Sequence, residues 1–346
     1  MKAIGYLHSH AIDHPDALID IELPMPDAKG RDLLIQVHAI SVNPVDCKVR
    51  CTVSPANGDY KVLGWDAVGE VVAVGDQVEL FKTGDSVWYA GDLTRPGSNS
   101  EYQLVDERIT ALKPASLSNI EAAALPLTAI TAWELLFDRL GFTAMRQDTP
   151  LQVSTESRPA VLIIGAAGGV GSILIQLASR LTDAIVIATA SRESSQDWVT
   201  SLGANYVINH HQPLAPQLEE INIQEVTHVI SLTHTDQHYD QIVDVLAPQG
   251  KFALIDDPKE NIDILKLKKK SASLHWEFMF TRSMFSTRDM LKQHELLTAL
   301  AELVDAGEIK TTLGEDYGTI NAENLKRAHA HIESGRAVGK IVLAGF

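Results

Sequence analysis

The sequence predicts an α/β protein in two parts, a β-rich barrel-like domain followed by a doubly wound parallel-sheet domain. Three observations carry this expectation. Residues 1–128 hold short β-type runs cut by glycine, proline, aspartate and asparagine turns. From Ala160 onward apolar runs alternate with helical segments, the pattern of right-handed βαβ units on a parallel sheet. One of those runs, Val161-Leu162-Ile163-Ile164, empties into the glycine turn Gly165-Ala166-Ala167-Gly168-Gly169-Val170-Gly171. At 346 residues the chain is long enough for two cores.

Taken in order, the first strands are expected at 33–40, 67–74 and 86–90, separated by turns such as Val74-Gly75-Asp76 and Thr83-Gly84-Asp85. That spacing fits a compact barrel. Ser118 with Glu121 three residues on reads as a capping box that opens an alanine-rich helix. A second helix is expected over 128–140. The polar stretch 141–159, with Pro150 and Pro159, reads as an exposed loop. The second part then runs as strand 161–164, a helix, strand 184–189, a helix around 196–202, and strand 206–208. Strand 226–232, a helix around 239–246 and strand 250–255 follow. The tail, from about Thr281, predicts a helix over 290–305 and short strands ending at 339–343.

Composition excludes several classes. A net charge of −16 argues against nucleic acid and anionic membranes as partners. No apolar run reaches the roughly 18 residues of a membrane span, and the N-terminus lacks the apolar core and cleavage site of a signal peptide. Cys47 and Cys51 alone make neither a disulfide framework nor a four-ligand zinc site, which points to a reducing cytoplasm. The basic run Lys266-Leu267-Lys268-Lys269-Lys270 reads as a solvated face. The 13 histidines, among them His8, His10, His210, His211, His329 and His331, read as scattered surface side chains rather than a metal centre, on the expectation that no His-x-x-x-His or Cys-x-x-Cys helical pair accompanies them.

The glycine turn carries the chemistry. Glycines at 165, 168 and 171 let backbone N–H groups approach a pyrophosphate while the next helix points its positive end at it, so Gly165, Ala167, Gly168, Gly169 and Val170 are candidate cofactor contacts. Ala166 stands where the first glycine of G-x-G-x-x-G usually sits, and the same residues also satisfy G-x-x-x-G-x-G. A carboxylate about 20 residues further on would select NAD. This chain has Thr189-Ala190-Ser191-Arg192 there. A hydroxyl and a guanidinium suit a ribose 2′-phosphate, so Ser191 and Arg192 predict NADP(H) rather than NAD(H); Arg192 is otherwise a surface residue, and Glu193, the nearest acid, lies beyond the strand end.

Three runs together resemble the medium-chain dehydrogenase/reductase superfamily: Asn43-Pro44-Val45-Asp46, Leu63-Gly64-Trp65-Asp66-Ala67-Val68-Gly69, and the glycine turn. With Ile230-Ser231-Leu232-Thr233-His234-Thr235 and Phe280-Thr281-Arg282-Ser283-Met284-Phe285, the chain is similar to the zinc-independent quinone oxidoreductase branch, and within it to the zinc-type alcohol dehydrogenase-like group. The resemblance implies a GroES-like β-barrel catalytic domain (1–128 and 281–346) around a Rossmann NADP-binding domain (129–280). It also implies that no catalytic or structural zinc is held. Asn43 stands at the first cysteine ligand's position, Trp65 replaces the histidine ligand, and no cysteine follows Cys51.

Without that Lewis acid, the implied activity is NADPH-dependent hydride transfer to a quinone or an α,β-unsaturated carbonyl, which spreads the incoming charge onto its own oxygen. The resemblance places the reacting pocket between the domains, near Asn43, Asp46, Trp65 and Thr128. Asn43 orients the cofactor or donates to the acceptor oxygen, or else is a turn residue. Asp46 positions the nicotinamide ribose or relays a proton, or else is a cap. Trp65 walls the pocket or fills the core, and Tyr60 is a candidate proton donor. Thr128, Ile255, Phe278 and Met279 are further candidate cofactor contacts, with Gly339 and Lys340 ranked below them. A homodimer through the strand edge at 250–255 and its successors is implied as well.

A short-chain dehydrogenase is the poorer reading, because none of the seven tyrosines is followed by lysine four residues on. The alternative of another class is a non-enzymatic NADPH-binding sensor or structural protein that retains the fold.

Overall fold

The computed structural model describes residues 1–56, 58–144 and 158–346. These divide into two compact units, residues 1–130 with 279–346, and residues 131–278.

In the first unit, a three-stranded antiparallel sheet sets Lys2–Tyr6 between Ile19–Glu22 and Lys61–Val62. A seven-stranded sheet runs in the order Leu313–Asp316, Lys340–Ala344, Asp32–Val42, Asp66–Val74, Ser86–Ala90 and Thr110–Leu112, with Tyr102–Asp106 also paired to Asp32–Val42. The pivot strand Asp32–Val42 buries Leu33, Ile35, Ala39 and Ile40 completely. It also shifts register twice against Asp66–Val74, the kind of bulge that lets a sheet curve. The capping box at Ser118 forms as expected: Ser118 N–H donates to Glu121 Oε2 at 2.9 Å and Glu121 N–H returns to Ser118 Oγ at 3.3 Å.

The second unit is a wholly parallel six-stranded sheet. Its order is Tyr206–Ile208, Ile185–Thr189, Ala160–Ile164, Val226–Ser231, Leu246–Leu254 and Ser273–Trp276. Val161, Leu162, Ile163 and Ile164 are all at most 1% exposed, as central strands covered on both faces must be. The chain lays strands outward from Ala160–Ile164 on one side and then on the other, so the order reverses at that strand.

Several elements depart from the sequence expectation. The single helix expected over 128–140 is Pro126–Trp133 followed by the π-helical turn Glu134–Arg139. The strand Ser273–Trp276 and the helix Leu214–Glu220 were not anticipated. In the tail, a helix stands at Ala322–Glu333 where only short strands were expected. It is capped by Asn321, whose side chain accepts from Asn324 N–H at 2.8 Å, and it buries Ala322, Leu325, Ala328 and His329. Residues 145–157 of the expected loop lie outside the described residues. The lysine run forms a 3₁₀ helix, Ile264–Lys270, in which Lys266 pairs with Asp240 and Lys270 donates to Asp244 O at 2.8 Å. No helix among the described residues is long and apolar enough to cross a membrane.

Candidate functional site

The glycine turn lies at the carboxyl end of Ala160–Ile164, where the strand order reverses. Open α/β sheets bind ligands at that point. Gly165 takes φ +78°, and a Cβ there would stand 2.7 Å from Thr233 Cγ2. A side chain is therefore excluded twice, by backbone conformation and by space. At Gly171 a Cβ would lie 2.3 Å from Ala166 O, so only glycine lets the helix Gly169–Leu181 close onto the turn.

Gly168 is the N-cap of that 13-residue helix, and the nearest atom to its missing Cβ is Gly165 O at 3.7 Å. Ala167, Gly168, Gly169 and Val170 are all partly exposed. Gly165 N–H donates to Thr189 Oγ1 at 3.1 Å, which ties the turn to the end of the neighbouring strand. Bare backbone at the positive end of a helix is the donor set a dinucleotide pyrophosphate uses, so these residues fit that group.

Beyond the neighbouring strand, Ser191 is partly exposed and Arg192 is exposed. Arg192 is the N-cap of the helix Glu193–Ser201, and its N–H donates to Ser195 Oγ at 3.2 Å. Ile255 follows the strand Leu246–Leu254, with its N–H donating to Ser231 O at 3.3 Å. Phe278, 46% exposed, ends the second unit, and Met279, 4% exposed, begins the return to the first.

The first unit carries a buried polar cluster on Asn43. Asp66 is its hub. Its Oδ2 accepts from Ser41 Oγ at 2.8 Å, Asn43 Nδ2 at 2.8 Å and Lys340 Nζ at 2.9 Å, while Oδ1 accepts from Leu127 N–H at 2.7 Å. Lys340 Nζ also donates to Asn43 Oδ1 at 2.6 Å. Because the ammonium can only donate and the carboxylate can only accept, the Asn43 amide has one permitted orientation.

Asn43 N–H donates to Asp46 Oδ2 at 2.7 Å as Asn43 opens the helix Pro44–Thr52. Asp46 Oδ1 is buried with no hydrogen-bond partner. Burial pushes the Asp46 carboxyl up to about 7, against the lowering effects of the Asn43 N–H and the Lys340 ammonium.

Asn43 and Asp46 are thus brought together, joined by Asp66, Lys340 and Ser41. Trp65 is fully buried, its Nε1–H donating to Asp92 O at 3.1 Å and its ring edge-on to Phe280 at 6.0 Å. Thr128 is buried and its Oγ1 donates to Leu125 O at 3.1 Å. Tyr60 is 41% exposed, and the hydrogen bonds that join the cluster do not include it. The sequence reading missed Asp66 and ranked Lys340 low. Each is a lone charge at the start of an apolar strand, a position where charges survive burial only in pairs.

Not all the histidines are scattered: His10 and His14, and His234 and His238, are four apart, contrary to the sequence expectation, and the His10 and His14 rings stack at 3.7 Å. The His210 ring lies 4.5 Å from that of His211 and 6.0 Å from that of His238. His329 is fully buried, with Nδ1 3.4 Å from Cys47 Sγ. Burial holds His329 down to about 3 and drives the Cys47 thiol above its usual range. Among the described residues, no group of three His, Cys, Asp or Glu side chains is arranged to hold a metal ion.

The model of the alcohol dehydrogenase GroES-like domain matches residues 29–115, and that of the zinc-binding dehydrogenase family matches 202–343. A zinc-type alcohol dehydrogenase-like protein of Staphylococcus epidermidis is 38% identical over 343 residues, 99% of each chain. A 2-methylene-furan-3-one reductase of Solanum lycopersicum is 31% identical over 99% of this chain and 79% of that protein. A Rhizobium etli structure, provisionally described as a zinc-dependent alcohol dehydrogenase, has a TM-score of 0.93 at 52% identity, covering 100% of this chain and 98% of that one. Escherichia coli quinone oxidoreductase in complex with NADPH has a TM-score of 0.81 at 25% identity, covering 99% of this chain and 100% of that one.

Proposed function

This chain belongs to the medium-chain dehydrogenase/reductase superfamily, in its quinone oxidoreductase-like branch, and from that premise we propose that it is an NADPH-dependent, zinc-independent reductase of quinones or α,β-unsaturated carbonyls. It is an oxidoreductase of that superfamily; the cofactor and acceptor are the proposal. The observation that carries the proposal is the chemistry of the cluster on Asn43. An amide locked between Asp66 and Lys340, and an indole committed to Asp92 O, occupy the positions where metal ligands would be expected. Neither belongs to the cysteine, histidine and carboxylate side chains that hold zinc. A dinucleotide in the glycine cradle would supply the hydride.

Gly165, Ala167, Gly168, Gly169 and Val170 hold the pyrophosphate in this reading, with Ser191 and Arg192 on the 2′-phosphate. Asp46 holds a proton near neutral pH, because burial keeps its carboxyl up at about 7, and so is the residue suited to relay one. Two relatives support the reading by what they are: the tomato reductase, whose name gives an enone-type substrate, and the bacterial quinone oxidoreductase, solved with NADPH. The test is turnover of NADPH and of NADH with a quinone panel and an enone panel, in the wild type and in Arg192→Glu. Arg192→Glu is expected to lose NADPH-driven turnover at least tenfold more than NADH-driven turnover, since a bidentate charged contact on phosphate is removed and reversed. Equal losses contradict the cofactor assignment. Tight NADPH binding with no consumption on either panel contradicts the enzymatic reading.

A further inference from the structure

Four imidazoles meet at the carboxyl edge of the parallel sheet, next to the place read above as the 2′-phosphate site. Thr189 pairs with Ile208 across adjacent parallel strands, and Ala190 N–H donates to Ile208 O at 2.9 Å. Ser191 and His210 therefore each stand two residues beyond one strand pair, on strands about 4.8 Å apart. On the other side of the switch point, Gly165 faces Thr233, and Thr233 Oγ1 lies 2.7 Å from His234 Nδ1. His234 has φ +50° and caps the helix Thr235–Val245, which carries His238 in its first turn. His238 reaches back to His210, 6.0 Å between rings. The rim thus runs from the glycine turn through His234, His238 and His210 to Ser191 and Arg192.

Resting on the NADP(H) reading, we propose that His210, His211, His234 and His238 are specificity-determining groups for the ribose 2′-phosphate, and that this rim takes up a proton from solvent as the phosphate binds. Nδ1 of His210 and Nδ1 of His238 are buried and have no hydrogen-bond partner. These are sites where an imidazole in a low-dielectric wall gains by being charged once an anion arrives. His210 is faced by His211, His238 and His234, and His238 by His234, His211, Asp236 and Asp256. Asp256 accepts from Thr235 N–H at 3.0 Å, and Arg192 stands past the neighbouring strand. The packed helix Leu214–Glu220 brings Gln217, which bonds Asn209, and the exposed acids Glu219 and Glu220. Without a ligand, burial and mutual repulsion hold His210 down to about 4 and lower His238 in the same direction. His210 and His238 are therefore neutral at pH 7 and take up charge only against a phosphate.

The sign separates this from the phosphate's own titration. A phosphate with its second pKa near 6 is bound less well as it protonates, whereas proton uptake by the rim tightens NADPH as pH falls. Isothermal titration of NADPH, NADH and adenosine 2′,5′-bisphosphate, in two buffers of different ionisation enthalpy at pH 6.5 and 8, reads the proton count directly. Roughly half a proton or more is expected per NADPH or bisphosphate at pH 6.5 and about none per NADH, with NADPH bound about fivefold tighter at pH 6.5 than at 8.

In H210Q/H238Q the uptake is expected to vanish and the pH trend to reverse. The single variants and the unfolding temperature serve as controls for misfolding. NADPH preference without uptake, or uptake unchanged in the double variant, overturns this proposal alone. No NADPH preference at any pH overturns the cofactor reading and this proposal with it.

Discussion

Asp66 and Lys340 approach to 2.9 Å with side chains 0% and 3% exposed, and Asn43 is threaded between them. Such a pair is costly to assemble, yet once assembled it holds a neighbouring amide in one orientation. Asp46 is the opposite case, a buried carboxyl without its own cation. Its ordinary value of 3.8 is raised to about 7, so between those two pH values the folded protein keeps a proton that the unfolded chain has released. Stability therefore falls as pH rises across that window, by about 1.4 kcal/mol per unit at most. Asp46→Asn keeps an acceptor for Asn43 N–H and removes the ionisation. Urea unfolding at pH 5 and pH 7 is expected to show a smaller loss of stability in the variant than in the wild type. An identical loss in both contradicts the assigned role of Asp46.

Asn43 and Asp46 stood out in the sequence through the residues around Pro44, and a capping role for Asp46 was among their readings. Asp66 and Lys340 did not stand out, because a pairing between positions 274 residues apart leaves no local trace.

Among the elements, the π-helical turn Glu134–Arg139 is held by charge. Arg139 donates from Nε to Glu277 Oε2 at 2.7 Å and from Nη2 to Glu134 Oε2 at 3.3 Å. Both carboxylates are almost completely buried. Burial and the neighbouring Glu134 push Glu277 up to about 9, so it holds a proton at neutral pH. Arg139→Met removes the cation that bonds both buried side chains and is expected to cost roughly 3–5 kcal/mol in urea unfolding at pH 8. A loss below about 1 kcal/mol at pH 8 contradicts the clamp.

The inner strands Ala160–Ile164 and Ile185–Thr189 were legible because each is a nearly continuous apolar run, whereas the edge strand Ser273–Trp276, with a serine and a histidine in four residues, was not. Nor was the helix Ala322–Glu333. Its core face is two alanines, one leucine and a histidine, too weak a stripe to recognise in a polar segment. A π-turn has no sequence period of its own.

For the whole molecule, the α/β architecture followed from the order of β-type runs and βαβ alternation, and the family from three short motifs whose residues the fold brings to strand ends. We propose that the protein is a homodimer built on the strand edge after Leu246–Leu254. Among the described residues the edge strand Ser273–Trp276 pairs only with Leu246–Leu254, and Trp276 is 54% exposed, as at an edge open to a partner. Light scattering at micromolar concentration is expected to give twice the chain mass of 37.7 kDa. A monomer counts against it.

The claim on which the account turns is hydride delivery to conjugated acceptors without metal. It is tested most directly by NADPH consumption with a quinone and an enone after exhaustive chelation, beside simple-alcohol oxidation in the same preparation. Undiminished quinone or enone reduction, at least tenfold faster with NADPH than with NADH and with no alcohol oxidation, is the predicted result. Turnover that vanishes with the chelator and returns with zinc would contradict it.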